Sequence, residues 1–279
     1  VCSSDLRDGV IADYDGALAM LDFYIKKVHE HSPWIAKVPR PRVIIGIPSG
    51  VTEVERRAVS EAAVAAGARE AFLVEEPMAA AIGAGLPIDE PRGQMIIDIG
   101  GGTTGITVIA LAGIVCDQSI RIGGDEFTAD IMEALRRYHS LLVGERTAEQ
   151  IKIHVGAALK DLDSPPDDMP VNGRDLVTGI PKQIMVSYQE VAEALDKSIF
   201  KIEEAILKAL ESTPPELAAD IYRRGLYITG GGSLLRGLDK RLSAKIKLPV
   251  HIAEDPLKSV VRGTGIALKN YQRFPFIMR

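Results

Sequence analysis

The run Asp98-Ile99-Gly100-Gly101-Gly102-Thr103-Thr104 constrains this chain more than any other stretch. Met95-Ile96-Ile97 enters it as a short apolar strand, and Ile106-Thr107-Val108-Ile109 leaves it as another. An acid ends a buried strand, three glycines turn it, and two hydroxyl residues open the return. Glycine permits backbone angles and close approaches that a Cβ blocks. Successive amide N–H groups in such a turn can converge on phosphate oxygens. The acid at its mouth could then hold a hydrated Mg²⁺ shared with those phosphates. Taken alone, the run reads equally well as a plain β-hairpin with a flexible tip. A second junction, Leu226-Tyr227-Ile228 running into Thr229-Gly230-Gly231-Gly232-Ser233, favours a nucleotide cleft.

The 279 residues suffice for one large domain or two ordinary ones. A net charge of −5 provides no global field that would draw the chain to nucleic acid. Cys2 and Cys116 are too few for a disulfide framework, and the five histidines lack metal-ligand spacing. No apolar run has the length of a membrane-spanning helix and no signal peptide is visible, so the expectation is a cytoplasmic protein.

Along the chain, Val1–Leu6 reads as an irregular leader, and Met20, Leu21, Tyr24, Ile25 and Val28 mark an amphipathic helix over 15–29. The next stretch holds Trp34 and Ile35 in a proline-broken loop between Lys26, Lys27 and Lys37, Arg40, Arg42. Such a loop suits insertion at an anionic membrane surface, or Trp34 folds back onto the core; spacing alone favours the core. Arg42–Ile47 is a strand, and Thr52 with Glu55 form a capping box that starts a helix running to about Ala66. After strand 71–74, Glu75-Glu76-Pro77 opens a short Ala-rich helix, which leaves Glu76 near its cap. A carboxylate there interacts favourably with the helix dipole and could orient a water, or it is a plain N-terminal acid.

Helices are expected over 126–142 and 147–159, the first with Phe127, Ile131, Leu135 and Tyr138 on one face. Glu149 and Lys152, at i and i+3, could grip a ribose and a base edge or form only a surface ion pair. A loop is expected over 161–172 and a strand over 176–186. Then follow a long helix 187–210 started by Ser187 and Glu190, a helix over 216–224 and another over 234–246.

Five segments together resemble the actin-like ATPase superfamily and, very closely, its bacterial MreB family. They are 47–57, 75–83, the Asp98 hairpin, 229–238 and Val261-Arg262-Gly263-Thr264-Gly265. The resemblance implies an α/β, two-lobed, actin-like fold with ATP and Mg²⁺ in a cleft between lobes. By this reading 7–112, completed by 255–279, forms a partial first lobe. Residues 113–254 form the second, with a small inserted subdomain at about 125–190. It implies that Gly100, Gly101, Gly102, Thr103 and Thr104 contact the phosphates and that Asp98 binds Mg²⁺ through water. Glu76 with Thr103 would position the attacking water. The stretch Glu149-Gln150-Ile151-Lys152 matches the helix that contacts ribose and adenine, and Gly230, Gly231, Gly232 and Ser233 match the loop under the α-phosphate and base. Trp34 and Ile35 stand where the family carries a membrane-inserting loop, which turns that reading from core to membrane contact.

Two departures stand out. No Asp-x-Gly hairpin with its strand context precedes Asp98, so the expectation is an N-terminal truncation that removes the first phosphate hairpin and most of one small subdomain. Gly105 stands where the family usually has Glu. The function implied is an ATP-dependent cytoskeletal protein, forming head-to-tail and paired filaments on the inner membrane face. It would work there with membrane-bound cell-shape and wall-synthesis proteins to maintain rod shape. A soluble ATPase or small-molecule kinase of the same superfamily is the alternative.

Overall fold

The computed structural model describes residues 6–7, 10–11, 14–30, 40–272, 274 and 276–278. The Trp34-Ile35 loop lies outside the described residues. The elements run β1 (Leu6–Arg7), β2 (Val10–Ile11), α1 (Tyr14–Glu30), β3 (Arg42–Ile47), α2 (Glu53–Ala65), β4 (Glu70–Glu75) and α3 (Glu76–Gly83). Then come β5 (Gln94–Ile99), β6 (Thr104–Ala110), β7 (Gly113–Ile120), α4 (Gly124–His139), β8 (Leu141–Leu142) and α5 (Glu145–Val155). The chain continues through β9 (Met169–Asp175), β10 (Pro181–Val186), α6 (Tyr188–Glu211), α7 (Pro215–Arg224), β11 (Leu226–Thr229), α8 (Leu238–Ile246), β12 (Val250–Ile252) and α9 (Ser259–Lys269). Its contacts divide it into one unit of 1–91, 109–114 and 258–279 and a second of 92–108 and 115–257. Segment 92–108, grouped with the first lobe on the sequence, makes its contacts in the second unit.

In the first unit β3 and β4 pair in parallel, and Leu73 exchanges two backbone hydrogen bonds with Met278 (2.9 and 3.0 Å) on the other side of β4. The Thr52–Glu55 capping box is present: Thr52 N–H donates to Glu55 Oε2 at 2.7 Å and Glu55 N–H to Thr52 Oγ1 at 3.3 Å. The closest packing is between α3 and α9. A Cβ on Gly83 would overlap Ser259 O, and one on Gly263 would overlap Ala79 O. Gly265, two residues on, meets nothing within 4 Å. That explains why Gly263 must be glycine; no contact explains Gly265.

In the second unit a five-stranded sheet has the order β12-β11-β5-β6-β7, with β11 parallel to both β5 and β12. Strand β5 is buried over Gln94–Ile97 and at Ile99, as its unbroken apolar run requires. Its core continues through Phe127, Ile131 and Leu135 of α4 and Leu195, Ile199 and Ile202 of α6. Ser187 and Glu190 cap α6 as their spacing demands.

Four expectations need correction here. Helix α4 ends at His139, because Ser140 adopts a left-handed conformation (φ 50°), and Leu141–Leu142 pair with β9 instead of extending the helix. Tyr138 is 53% exposed and so leaves the buried face. Residues 169–172 are strand, not loop, in the order β10-β9-β8. Beyond the second glycine run, 231–234 form a 3-10 turn and α8 begins only at Leu238, after Gly237 in a left-handed conformation.

Candidate functional site

The β5–β6 turn closes with Gly100 N–H donating to Thr103 O at 2.9 Å. The start of α4 packs directly on it: Gly124 N–H donates to Gly100 O (2.9 Å) and Asp125 N–H to Gly101 O (2.8 Å). A Cβ on Gly123 would overlap Gly101 O, so this docking requires a glycine there. Gly101 and Gly102 are different. A Cβ on either would meet nothing nearer than the Asp125 carboxylate, at 3.6 and 3.9 Å. Neither has a positive φ. Their own protein therefore leaves room above them.

The room above Gly101 belongs to a cleft of about 860 Å³ within the second unit, in the range usual for small-molecule sites. Gly100 and Gly101 line one end, with Gly124 and Asp125, and Gly231 and Gly232 line another part of the wall. Helix α5 contributes Glu145, Arg146, Glu149, Lys152 and Ile153. Ile153 (62% exposed), Leu234 (53%) and Leu257 (68%) expose large apolar surface on this cleft, where a flat heteroaromatic ring would cover it. Cations and anions from α5 beside apolar residues suit a ligand with a polar and an aromatic part.

Asp98, at the end of β5, is the most perturbed acid of the site. Burial alone pushes its carboxyl up from 3.8 to about 6. Gly230 sits against it with φ 81°, so close that a Cβ would overlap Asp98 Oδ1 and Ile99 O. Gly230 N–H and Thr229 Oγ1 are anchored on Pro256 O, at 3.1 Å each. A carboxylate partly withdrawn from water, its shift caused by burial, is a suitable partner for a hydrated cation. Among the described residues no group of three or more His, Cys, Asp or Glu could hold a metal ion by itself.

The structure brings some of the expected site residues together and leaves others apart. Gly100, Gly101, Glu149, Lys152, Gly231 and Gly232 line the cleft together. Gly102 and Thr103 belong to the same turn, and Asp98 and Gly230 pack on each other, but none of the four lines the cleft. Ile151 is fully buried in the hydrophobic core, and Gln150 is exposed. Thr104 is buried with its hydroxyl donating to Ile122 O at 2.7 Å, and Ser233 is buried with its hydroxyl donating to Gly230 O at 2.7 Å. Both hydroxyls support the turns from within. Glu76 belongs to the first unit as the first residue of α3, one place past the cap residue Glu75, with its Cγ 3.3 Å from where a Gly46 Cβ would stand. Gly124, Asp125, Arg146 and Leu257 were missed by the sequence reading. The doublet Gly123-Gly124 before a helix was the available signal for the first two.

Comparison with known proteins gives one consistent answer. The family model described as MreB/Mbl protein matches residues 2–275. The chain is 49% identical over 267 residues to the cell shape-determining protein MreB of Escherichia coli K12, covering 95% of this chain and 75% of that one. It is 45% identical over 270 residues to the cell shape-determining protein Mbl of Bacillus subtilis, covering 97% and 79%. The crystal structure of Spiroplasma citri MreB5 bound to ADP superposes with a TM-score of 0.89 at 38% identity, covering 96% of this chain and 79% of that one. The same protein bound to AMPPNP gives 0.88.

Proposed function

The chain belongs to the MreB/Mbl family and is an actin-like cytoskeletal protein of cell-shape determination; from that premise we propose that its cleft binds an adenine nucleotide with Mg²⁺ and that ATP hydrolysis there governs filament assembly. One observation carries the reading: Gly101 and Gly102 have no steric reason within the protein to lack a side chain, and Gly101 opens onto the cleft. A phosphate approaching their amides supplies the reason. The binding of ADP and AMPPNP by a 38% identical protein supports it.

Asp98 is the residue that would hold the Mg²⁺ through water, and the cation would offset phosphate charge. The Gly100–Thr103 turn would cradle the β- and γ-phosphates, α5 would contact ribose and base, and the apolar rim at Leu234 and Leu257 would cover the base face. Glu76 and Thr103 orient the attacking water in this reading, which rests on the family resemblance. No helix among the described residues is long and apolar enough to cross a membrane. Trp34 and Ile35 would contact the inner membrane face, with cell-shape and wall-synthesis proteins as neighbours there. Head-to-tail subunits would stack into filaments, since a heterologous contact that does not close on itself propagates.

The test is ATP-dependent sedimentation beside phosphate release. Glu76→Ala should slow release by about a hundredfold or more, the usual scale for a general base. Nucleotide affinity should hold within about twofold. Undiminished release would remove Glu76 from the reaction, and no nucleotide binding by the unsubstituted chain would overturn the cleft assignment.

A further inference from the structure

Lys152 is only 15% exposed at its side chain and does not extend into solvent as an ordinary helix-surface lysine does. Its Nζ has three protons and three acceptors: Gly124 O at 2.7 Å, Thr128 Oγ1 at 3.0 Å and Glu149 Oε2 at 2.6 Å. A Cβ on Gly124 would stand 3.1 Å from that ammonium, so the glycine makes room for it. The Thr128 hydroxyl, on a residue 3% exposed, lies 2.8 Å from Glu149 Oε2 and 2.9 Å from Gly124 O. It has one proton to give. The carboxylate is the stronger acceptor, and Gly124 O already receives Lys152.

An ammonium beside the first turn of α4 is opposed by the helix dipole. Glu149 offsets that, and a bifurcated set of charge-assisted bonds holds the whole group in one geometry. The bonds continue to the phosphate turn. Gly124, which accepts from Lys152, donates its own N–H to Gly100 O at 2.9 Å, and Asp125 N–H donates to Gly101 O at 2.8 Å. A continuous hydrogen-bonded path therefore joins the Gly100–Gly101 turn to the Glu149 carboxylate on α5. Both bonds end on Oε2 and tie the carboxylate to the start of α4.

We propose that Thr128 is a positioning residue for the nucleotide: with Lys152 it sets the Glu149 carboxylate at a fixed distance from the phosphate turn, so that ribose hydroxyls and phosphates are held by one frame. This rests on the reading of the cleft as a nucleotide site. Lys152 in this arrangement acts on the ligand through Glu149 and the backbone, and not by reaching a base edge as its spacing alone implied.

The experiment measures the affinity of Mg²⁺-ADP and of its 2′,3′-dideoxy analogue by competition with a fluorescent adenine nucleotide. It uses the unsubstituted chain, Thr128→Val, Thr128→Ser and Glu149→Gln, each checked by thermal denaturation. The unsubstituted chain should prefer the ribose form. Thr128→Val should cut that preference roughly tenfold, the scale of a hydrogen bond to a charged group, with the dideoxy affinity nearly unchanged. Thr128→Ser should restore it. In the Glu149→Gln background the Thr128→Val effect should vanish, because the group being positioned is already altered. If Thr128→Val does not fold, Lys152→Gln removes the other bond to Glu149 Oε2 and is read the same way. An unchanged ratio in a folded Thr128→Val or Lys152→Gln protein, or an equal loss for both ligands, overturns the positioning role while leaving the cleft reading intact. Absence of nucleotide binding by the unsubstituted chain overturns both.

Discussion

At Gly230 and Gly232 a methyl group has nowhere to go, whereas at Gly101 and Gly102 it meets nothing nearer than the Asp125 carboxylate, 3.6 and 3.9 Å away. In sequence the two runs are near copies: three glycines after an apolar strand. In the structure the second run is packed against the first. Gly230 has φ 81° and lies on Asp98 and Ile99 O, and a Cβ on Gly232 would fall 2.9 Å from Ile99 Cβ. Gly230 and Gly232 lack side chains so that β5 and the 3-10 turn can touch. In the first, a Cβ on Gly101 or Gly102 would meet no protein atom close enough to require glycine. Loss of a glycine should therefore damage folding at one run and binding at the other.

The largest effect should come from Gly230→Ala. A positive φ and an overlap with backbone together should destabilise by on the order of 3 kcal/mol or more, read as a fall in the denaturation midpoint of several degrees. A midpoint within a degree of the parent would erase the distinction between the runs. Gly101→Ala should stay within about 1 kcal/mol of the parent, since its φ is not positive and its contacts are ordinary. Loss of the fold on that change would mean that the first turn, too, is a packing device.

Asp98→Asn sharpens the comparison through pH. The unfolded carboxyl ionises near 3.8 and the folded one near about 6, so the folded state keeps its proton longer. Stability falls as pH rises through that window and stays reduced above it. The amide should remove this slope and stabilise the ligand-free protein at neutral pH by on the order of 1–3 kcal/mol, while Mg²⁺ no longer strengthens nucleotide binding. Identical pH–stability curves would show that Asp98 is not under strain from burial. Ser233→Ala removes the bond to Gly230 O and should lower stability by about 1 kcal/mol with nucleotide affinity little changed. A tenfold loss of affinity would return Ser233 to the ligand.

These contrasts also mark what the sequence disclosed. Local rules were legible: both capping boxes, the strand-to-glycine junctions and the acid ending β5 each follow from residues within a few places of one another. What depended on distant pairing was not. Leu141–Leu142 continue an apolar helical pattern and turn strand only because Asp175 and Arg174 lie beside them. Ile151 sits in a matching motif between two polar cleft residues, yet the turn of α5 carries it into the core. Gly124 and Asp125 join the site through bonds to Gly100 and Gly101, more than twenty residues earlier. Family resemblance implied the chemistry; it did not say which of its matched residues line the cleft and which hold the turns.

The most direct measurement is a calorimetric titration of Mg²⁺-ADP into the unsubstituted chain and into Gly101→Ala, with denaturation curves for both. The cleft reading predicts saturable one-to-one binding by the first protein and at least roughly a hundredfold weaker binding by the second, about 2.7 kcal/mol, at matched stability. Equal affinity in the two proteins would contradict it, because the turn that defines the site would then touch no phosphate.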